Sequence, residues 1–222
     1  MKNIFIGRIF LLFAAGLILT GCATSRGELD LSGAMSSNNE SSQTAKTVII
    51  DNFTDNRVFA TNADSPDKPT YDPTEGLDDE TKSKIIARKR NGFGKALGDI
   101  VLANGLTSEN LIKNIVSQAF VDSGYRIVTE DPDNKAVHVD IVVDKFWGWF
   151  SPGFWTISVY ANTELTLDMK HDLKSEKIHV YQTKRRRSLA ATGSLWQDVF
   201  LKNLYDVKMD IRDKIQRSEL LK

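Results

Sequence analysis

The sequence predicts an α+β protein: one mixed or antiparallel sheet of about four to five strands, with two main helices packed on one face. Three observations carry this. Apolar residues alternate with polar ones at Val137, Val139, Ile141 and Val143 and again from Ile157 to Met169, the period of a half-buried strand. Two other segments repeat apolar residues at helical spacing, Leu111 to Phe120 and Trp196 to Ile215. The elements follow in the order β, long loop, α, β, β, β, β, α, so strands cluster between helices and do not alternate with them.

The chain opens with a short basic region containing Lys2 and Arg8, then eleven apolar residues from Ile9 to Leu19. That run suits the apolar core of a secretory signal and is shorter than the roughly 20 residues a membrane-spanning helix needs. It ends in Leu19-Thr20-Gly21-Cys22, which resembles the bacterial lipobox, with small residues before a cysteine whose thiol accepts diacylglycerol. Residues 1–21 are therefore expected to be a lipoprotein signal peptide, and Cys22 the lipidated first residue of the mature chain. The alternative is an ordinary secretory signal beside an accidental cysteine. Ala23 follows, and the sorting preference of Gram-negative lipoproteins then favours the outer membrane, facing the periplasm. Cys22 is the chain's one cysteine, so no internal disulfide can form. Two or three acyl chains anchor stably where one does not.

Removing Lys2 and Arg8 from a chain of 29 basic and 29 acidic residues leaves a mature charge of about −2, which gives no reason to expect nucleic acid as a partner. Residues 22–45 are rich in Ser, Asn and Gly and read as a flexible tether. The remainder, 46–222, reads as a single α+β periplasmic domain, large enough for one core.

Within it, Lys46 to Asp51 is a β-branched strand. Residues 54–81 carry Pro66, Pro69 and Pro73 among seven acids from Asp64 to Glu80, an acidic loop too long for a plain connection and hence mobile or functional. Residues 82–105 predict a short helix or strand followed by a loop, because Gly92, Gly94 and Gly98 break a regular helix. Thr107 is placed to cap the next helix, and Gly124 stands where a C-terminal glycine belongs. Strands are expected at 124–128, 137–144, 157–169 and, more weakly, 177–187. A capping box of Ser194 and Gln197 opens the last helix.

Templates for catalysis do not fit. His138, His171 and His179 fall on or beside strands without ligand spacing, so no metal site is expected. There is no Gly-x-Ser-x-Gly and no His-Glu-x-x-His. In Gly92-Phe-Gly94-Lys-Ala-Leu-Gly98 the third glycine comes one residue late for a dinucleotide loop. Asp131-Pro-Asp133-Asn134 is a turn more than a calcium loop. The expectation is a non-catalytic protein without cofactor.

The most unusual segment runs Phe146-Trp147-Gly-Trp149-Phe150-Ser-Pro-Gly-Phe154-Trp155. Ser-Pro-Gly marks a turn, so the segment reads as the tip of a hairpin. Exposed, these six rings would meet a partner protein, stack on sugars or enter a membrane interface; folded over the sheet, they would fill the core. Arg88, Lys89 and Arg90, and the run Lys184 to Arg187, offer anionic contacts, pair with the acidic loop, or are ordinary solvated strand ends.

The lipobox, the strand running into Asp55-Asn56-Arg57, the segment Ala87 to Asp99, the helix ending in Ser123-Gly-Tyr-Arg-Ile127 and the aromatic hairpin together resemble the YajG-like group of proteobacterial envelope lipoproteins. The likeness spans most of residues 46–215. It implies a small α+β lipoprotein domain, in general shape like the auxiliary lipoproteins of envelope transport machines, and it carries over no catalytic residues. The sequence thus points to a membrane-anchored binding or assembly module with an envelope protein as partner. The alternative is a peptidoglycan-fragment or lipid binder using the same aromatic hairpin.

Overall fold

A computed structural model describes residues 27–35, 46–74, 76–91, 93 and 95–221. The expected signal peptide and lipidation site, residues 1–22, lie outside the described residues. The chain is α+β, as expected, but its sheet has eight strands and not four or five. In chain order these are β1 (Gly27–Leu29), β2 (Thr47–Asp55), β3 (Ile85–Arg90), β4 (Ala96–Leu102), β5 (Arg126–Ile127), β6 (Val137–Pro152), β7 (Ile157–His171) and β8 (Lys174–Ser188). Three helices accompany them: α1 (Asp79–Lys84), α2 (Ser108–Asp122) and α3 (Gly193–Arg217).

The long strands β6, β7 and β8 form an antiparallel meander and dominate the sheet. Val139, Ile141, Val143 and Phe146 on β6, Val159 to Met169 on β7 and Ile178 and Val180 on β8 turn one face toward α2 and α3. The helices supply the matching stripes: Leu111, Ile112, Ile115, Val116, Ala119 and Phe120 from α2, and Trp196, Val199, Phe200, Leu204, Val207, Ile211 and Ile215 from α3. Thr163 donates to Asn203 Oδ1 at 2.5 Å, and Asn203 donates to Gln182 O at 2.8 Å. The one buried polar residue of α3 is thus satisfied by the strands it covers.

On its other edge β6 has two neighbours in succession. Its first half pairs in parallel with β2 as far as Asp55↔Val143, and farther along Ala87 of β3 pairs in parallel with Gly148. Where β2 leaves and β3 has not yet joined, Arg57 fills the gap. Its side chain is buried and donates to Phe146 O at 3.3 Å, Ile85 O at 2.8 Å and Lys82 O at 2.7 Å, while gripping Asp55 at 2.7 Å. Backbone acceptors at a break in a buried sheet edge need such a donor.

Several expectations change. Residues 27–35, expected to belong to the tether, are structured: β1 pairs in parallel with β4, and Leu31 is fully buried. Leu29 and Leu31 alternate with polar neighbours, so burial of this short edge holds down a segment otherwise rich in small polar residues. The expected loop within 82–105 is the hairpin β3–β4, bulged between Ile85 and Ala87 and between Lys89 and Arg90. Gly98, at φ 127° on β4, breaks a helix but is tolerated in a bulged strand. The last helix is capped by Thr192, whose hydroxyl accepts from Leu195 N at 3.3 Å; Gln197 instead donates to Asp30 O at 2.7 Å. Thr107 does cap α2, in a capping box with Asn110, and Gly124 leaves it at φ 89°.

The acidic loop is ordered over nearly all its length. Residues 56–78 fold back on themselves through Ala60 and Thr70 and lie over the sheet face opposite the helices. There Phe59, Tyr71 and Leu77 pack on Ile85, Val101 and Trp147, making a second, smaller core.

Gly148 lies where β6 passes beneath α3. A Cβ there would stand 2.7 Å from Phe200 Cζ and 3.0 Å from Trp196 Cζ3. Gly148→Val is therefore expected to destabilise by about 2 kcal/mol through overpacking, read as a lower urea midpoint at unchanged slope.

Candidate functional site

The aromatic segment is strand over most of its length. β6 runs on to Pro152 and only residues 153–156 form the turn. Strand alternation therefore sorts its rings onto two faces. Phe146 points to the helices, is fully buried, and meets Phe200 edge to face at 5.5 Å. Trp147 points the other way, also buried, edge to face with Phe59 at 5.9 Å and donating its indole N–H to Pro66 O at 3.1 Å. These two are core residues and not contact residues, because α3 and the acidic loop already cover them. Phe150 is half-buried against the main core and lines a shallow depression of about 280 Å³ with Arg90, Asn91 and Pro66.

Trp149 is half-buried on the outer face. It stacks on Tyr160 with centroids 5.0 Å apart and planes 2° from parallel. The Arg185 guanidinium lies 5.3 Å from the Tyr160 ring and donates to Ser158 Oγ at 2.9 and 3.1 Å. Trp149, Tyr160 and Arg185 are cross-strand partners in register, so the stack is a transverse ladder over three strands. One row on, Asn162 donates to Tyr181 OH at 3.2 Å; its own Oδ1 is buried and accepts no hydrogen bond among the described residues. Tyr181 is half-exposed. Phe154 and Trp155 stand at the turn, 90 % and 82 % exposed, edge to face at 4.8 Å.

The basic run 88–90 is not an open patch. Arg88 is buried, with Nε 3.4 Å from Asp99 and Nη2 3.3 Å from Asp72. Arg90, half-buried, donates to Thr70 Oγ1 at 2.9 Å. Burial, followed by the neighbouring Arg88, lowers the Arg90 pKa against the opposing pull of Asp99. Lys89 lies against Gly27. The Thr74 hydroxyl and amide, and then Arg88, hold the Asp72 carboxyl below its ordinary range. Arg88 and Arg90 therefore clamp the acidic loop to the sheet, one of the three readings the sequence allowed. On β8, Lys184 pairs with Asp206 at 2.6 Å and Arg186 with Asp198 at 3.3 Å. β8 has no second strand neighbour among the described residues, and charge on such an edge discourages pairing with another chain.

His138 meets Asp51 at 2.9 Å and His179 meets Glu164 at 3.6 Å, both on the exposed sheet face. Among the described residues no three His, Cys, Asp or Glu side chains converge on a metal position. Nor, among them, is any helix long and apolar enough to cross a membrane.

The sequence placed Arg185 in the basic run 184–187, but it gave neither that residue nor Tyr160 and Tyr181 a place in an aromatic ladder. The available signal was register: a hairpin drawn through Phe150 and Val159 places Tyr160 opposite Trp149.

Fold and site together define an α+β protein built on one mixed sheet, with a helix-covered face and a partly open face. The chain is similar to an uncharacterised protein of known structure at 6 % identity, over 86 % of this chain and 99 % of that one, with a TM-score of 0.46. It is also similar to protein XCC0632 from Xanthomonas campestris, labelled with the family model DUF330, at 15 % identity over the same shares, with a TM-score of 0.44. No protein-family model and no curated protein matches the chain.

Proposed function

We propose that this chain is a non-catalytic lipoprotein of the bacterial cell envelope, akin to the YajG-like group. It is anchored through Cys22 in the outer membrane and binds a partner protein on its open sheet face. One observation carries the reading: the Trp149–Tyr160–Arg185 ladder stays partly open to solvent although the loop that covers Trp147 lies beside it. Tyr, Trp and Arg are the residue types that dominate protein interfaces. The ladder is held in register by three long strands, so little side-chain freedom is lost when a partner settles on it.

The test is photocrosslinking in cells, with the full chain carrying the crosslinker at Trp149 or Tyr181 and, as control, at Leu173 in the β7–β8 turn at the far end of the sheet. One dominant envelope protein captured from the first two positions and absent from the third is the expected result. Adducts to muropeptide or lipid, or no protein adduct, would transfer the face to a glycan or lipid ligand instead.

A further inference from the structure

Four of the eight large apolar side chains that stand exposed lie at one end of the sheet: Phe93, Phe154, Trp155 and Leu189, each at least 82 % exposed. The topology puts them there. β3 runs parallel to β6, so the turn after Arg90, which carries Phe93, and the turn after Pro152, which carries Phe154 and Trp155, leave the sheet in the same direction. Leu189 follows Ser188, which pairs with Ile157 at the start of β7. Across β3, β6, β7 and β8, at ~4.8 Å per strand, this makes an apolar rim roughly 15 Å wide.

The described chain begins beside that end. β1 is parallel to β4, and β4 runs away from the rim, so the N-terminal end of β1 faces it. Gly27, Ile100, Ala87 and Gly148 fall on one row of the sheet. From that row to Pro152 is four residues, about 13 Å of strand. Gly27 is five positions after Cys22, and five residue steps at full extension reach about 17 Å. A lipid on Cys22 can therefore sit level with the rim, and it can stand only a few ångströms beyond it.

Basic side chains stand beside the apolar ones at the rim. Arg187 and Lys95 are exposed at the rim end. Asp64, the acid beside Pro152, is already paired with Lys68 at 2.7 Å. At the opposite end Glu130, Asp131, Asp133 and Asp172 stand among Lys46, Arg126, Lys135 and Lys174, so acids and bases balance there.

We propose that Phe93, Phe154, Trp155 and Leu189 form a lipid-contacting rim that enters the surface of the bilayer holding the Cys22 acyl chains, so that the domain stands with its strands steep to the membrane. Exposed aromatic and aliphatic side chains beside basic ones favour the headgroup boundary, and a short anchor holds them at it. The inference rests on lipidation of Cys22.

The experiment uses the full chain, purified from membranes and reconstituted into phosphatidylethanolamine–phosphatidylglycerol vesicles. Spin labels are placed by Phe93→Cys, Trp155→Cys, Leu189→Cys and, as control, Leu173→Cys; the one native cysteine is blocked by its lipid. The three rim labels are expected to show an oxygen-to-nickel accessibility ratio several-fold above that of the Leu173 label, the signature of burial about 5–10 Å into the interface. Four water-like labels on vesicle-bound protein would overturn the rim and leave the anchor standing. Immobilised labels without oxygen preference would assign the rim to contact between copies and also overturn it. A chain that fails to float with the vesicles would show that Cys22 carries no lipid, removing the anchor and the rim together.

Discussion

Replacing Arg57 with Ala is expected to lower folding stability by about 3 kcal/mol, because it strands a half-buried carboxylate and several backbone acceptors at once. The guanidinium is fully buried and holds Asp55 through both of its oxygens, at 2.9 and 2.7 Å. Its other bonds go to the carbonyls of Phe146, Ile85 and Lys82 and to Ser108 Oγ at 3.2 Å. These groups belong to β6, β3, α1 and α2, so one side chain joins four elements at the point where β6 changes neighbours. Phe59 packs beneath it at 5.2 Å, which couples the same residue to the loop over Trp147. Arg57→Lys should recover only a minor part of the loss, since an ammonium cannot match a two-oxygen grip and three divergent carbonyls. Asp55→Ala made in the Arg57→Ala background should add little, because the two act as a unit. Urea unfolding measures all three. A loss below about 1 kcal/mol for Arg57→Ala would show that water replaces the guanidinium at the junction.

What the sequence made legible follows from the range of the forces involved. α2 was readable end to end, since its stripe, Thr107 and Gly124 are all local signals. The meander was readable because one face of β6 to β8 meets helices and the other stays largely polar, giving clean alternation. β3 was not, because Ile85 and Ile86 are both buried, one under the loop and one under the helices, so the run shows no period. β1 is three residues long and depends on its pairing with β4. The aromatic segment was conspicuous, yet its partition was hidden: the outer face of β6 becomes core only where residues 56–78 fold onto it, 81 positions away from Trp147 at the Pro66 carbonyl.

That partition gives the second large effect. Trp147→Ala is expected to cost about 3–5 kcal/mol, the range for emptying a buried aromatic site. It removes the ring against which Phe59, Tyr71 and Leu77 seat the loop, together with the indole N–H bond to Pro66. For a chain of this size the melting temperature should fall by roughly 10 °C. Trp155→Ala, eight positions on in the same segment, should stay within about 0.5 kcal/mol of the parent, since its ring is 82 % exposed and touches chiefly the equally exposed Phe154. Thermal unfolding followed by circular dichroism separates the two. Equal melting temperatures would mean that the loop does not hold Trp147 in solution, and the outer face would then be open along its whole length. With the expected split, any binding lost in a Trp147 variant reports unfolding of the loop. Binding lost in a Trp155 variant reports contact, because nothing in the fold leans on that ring.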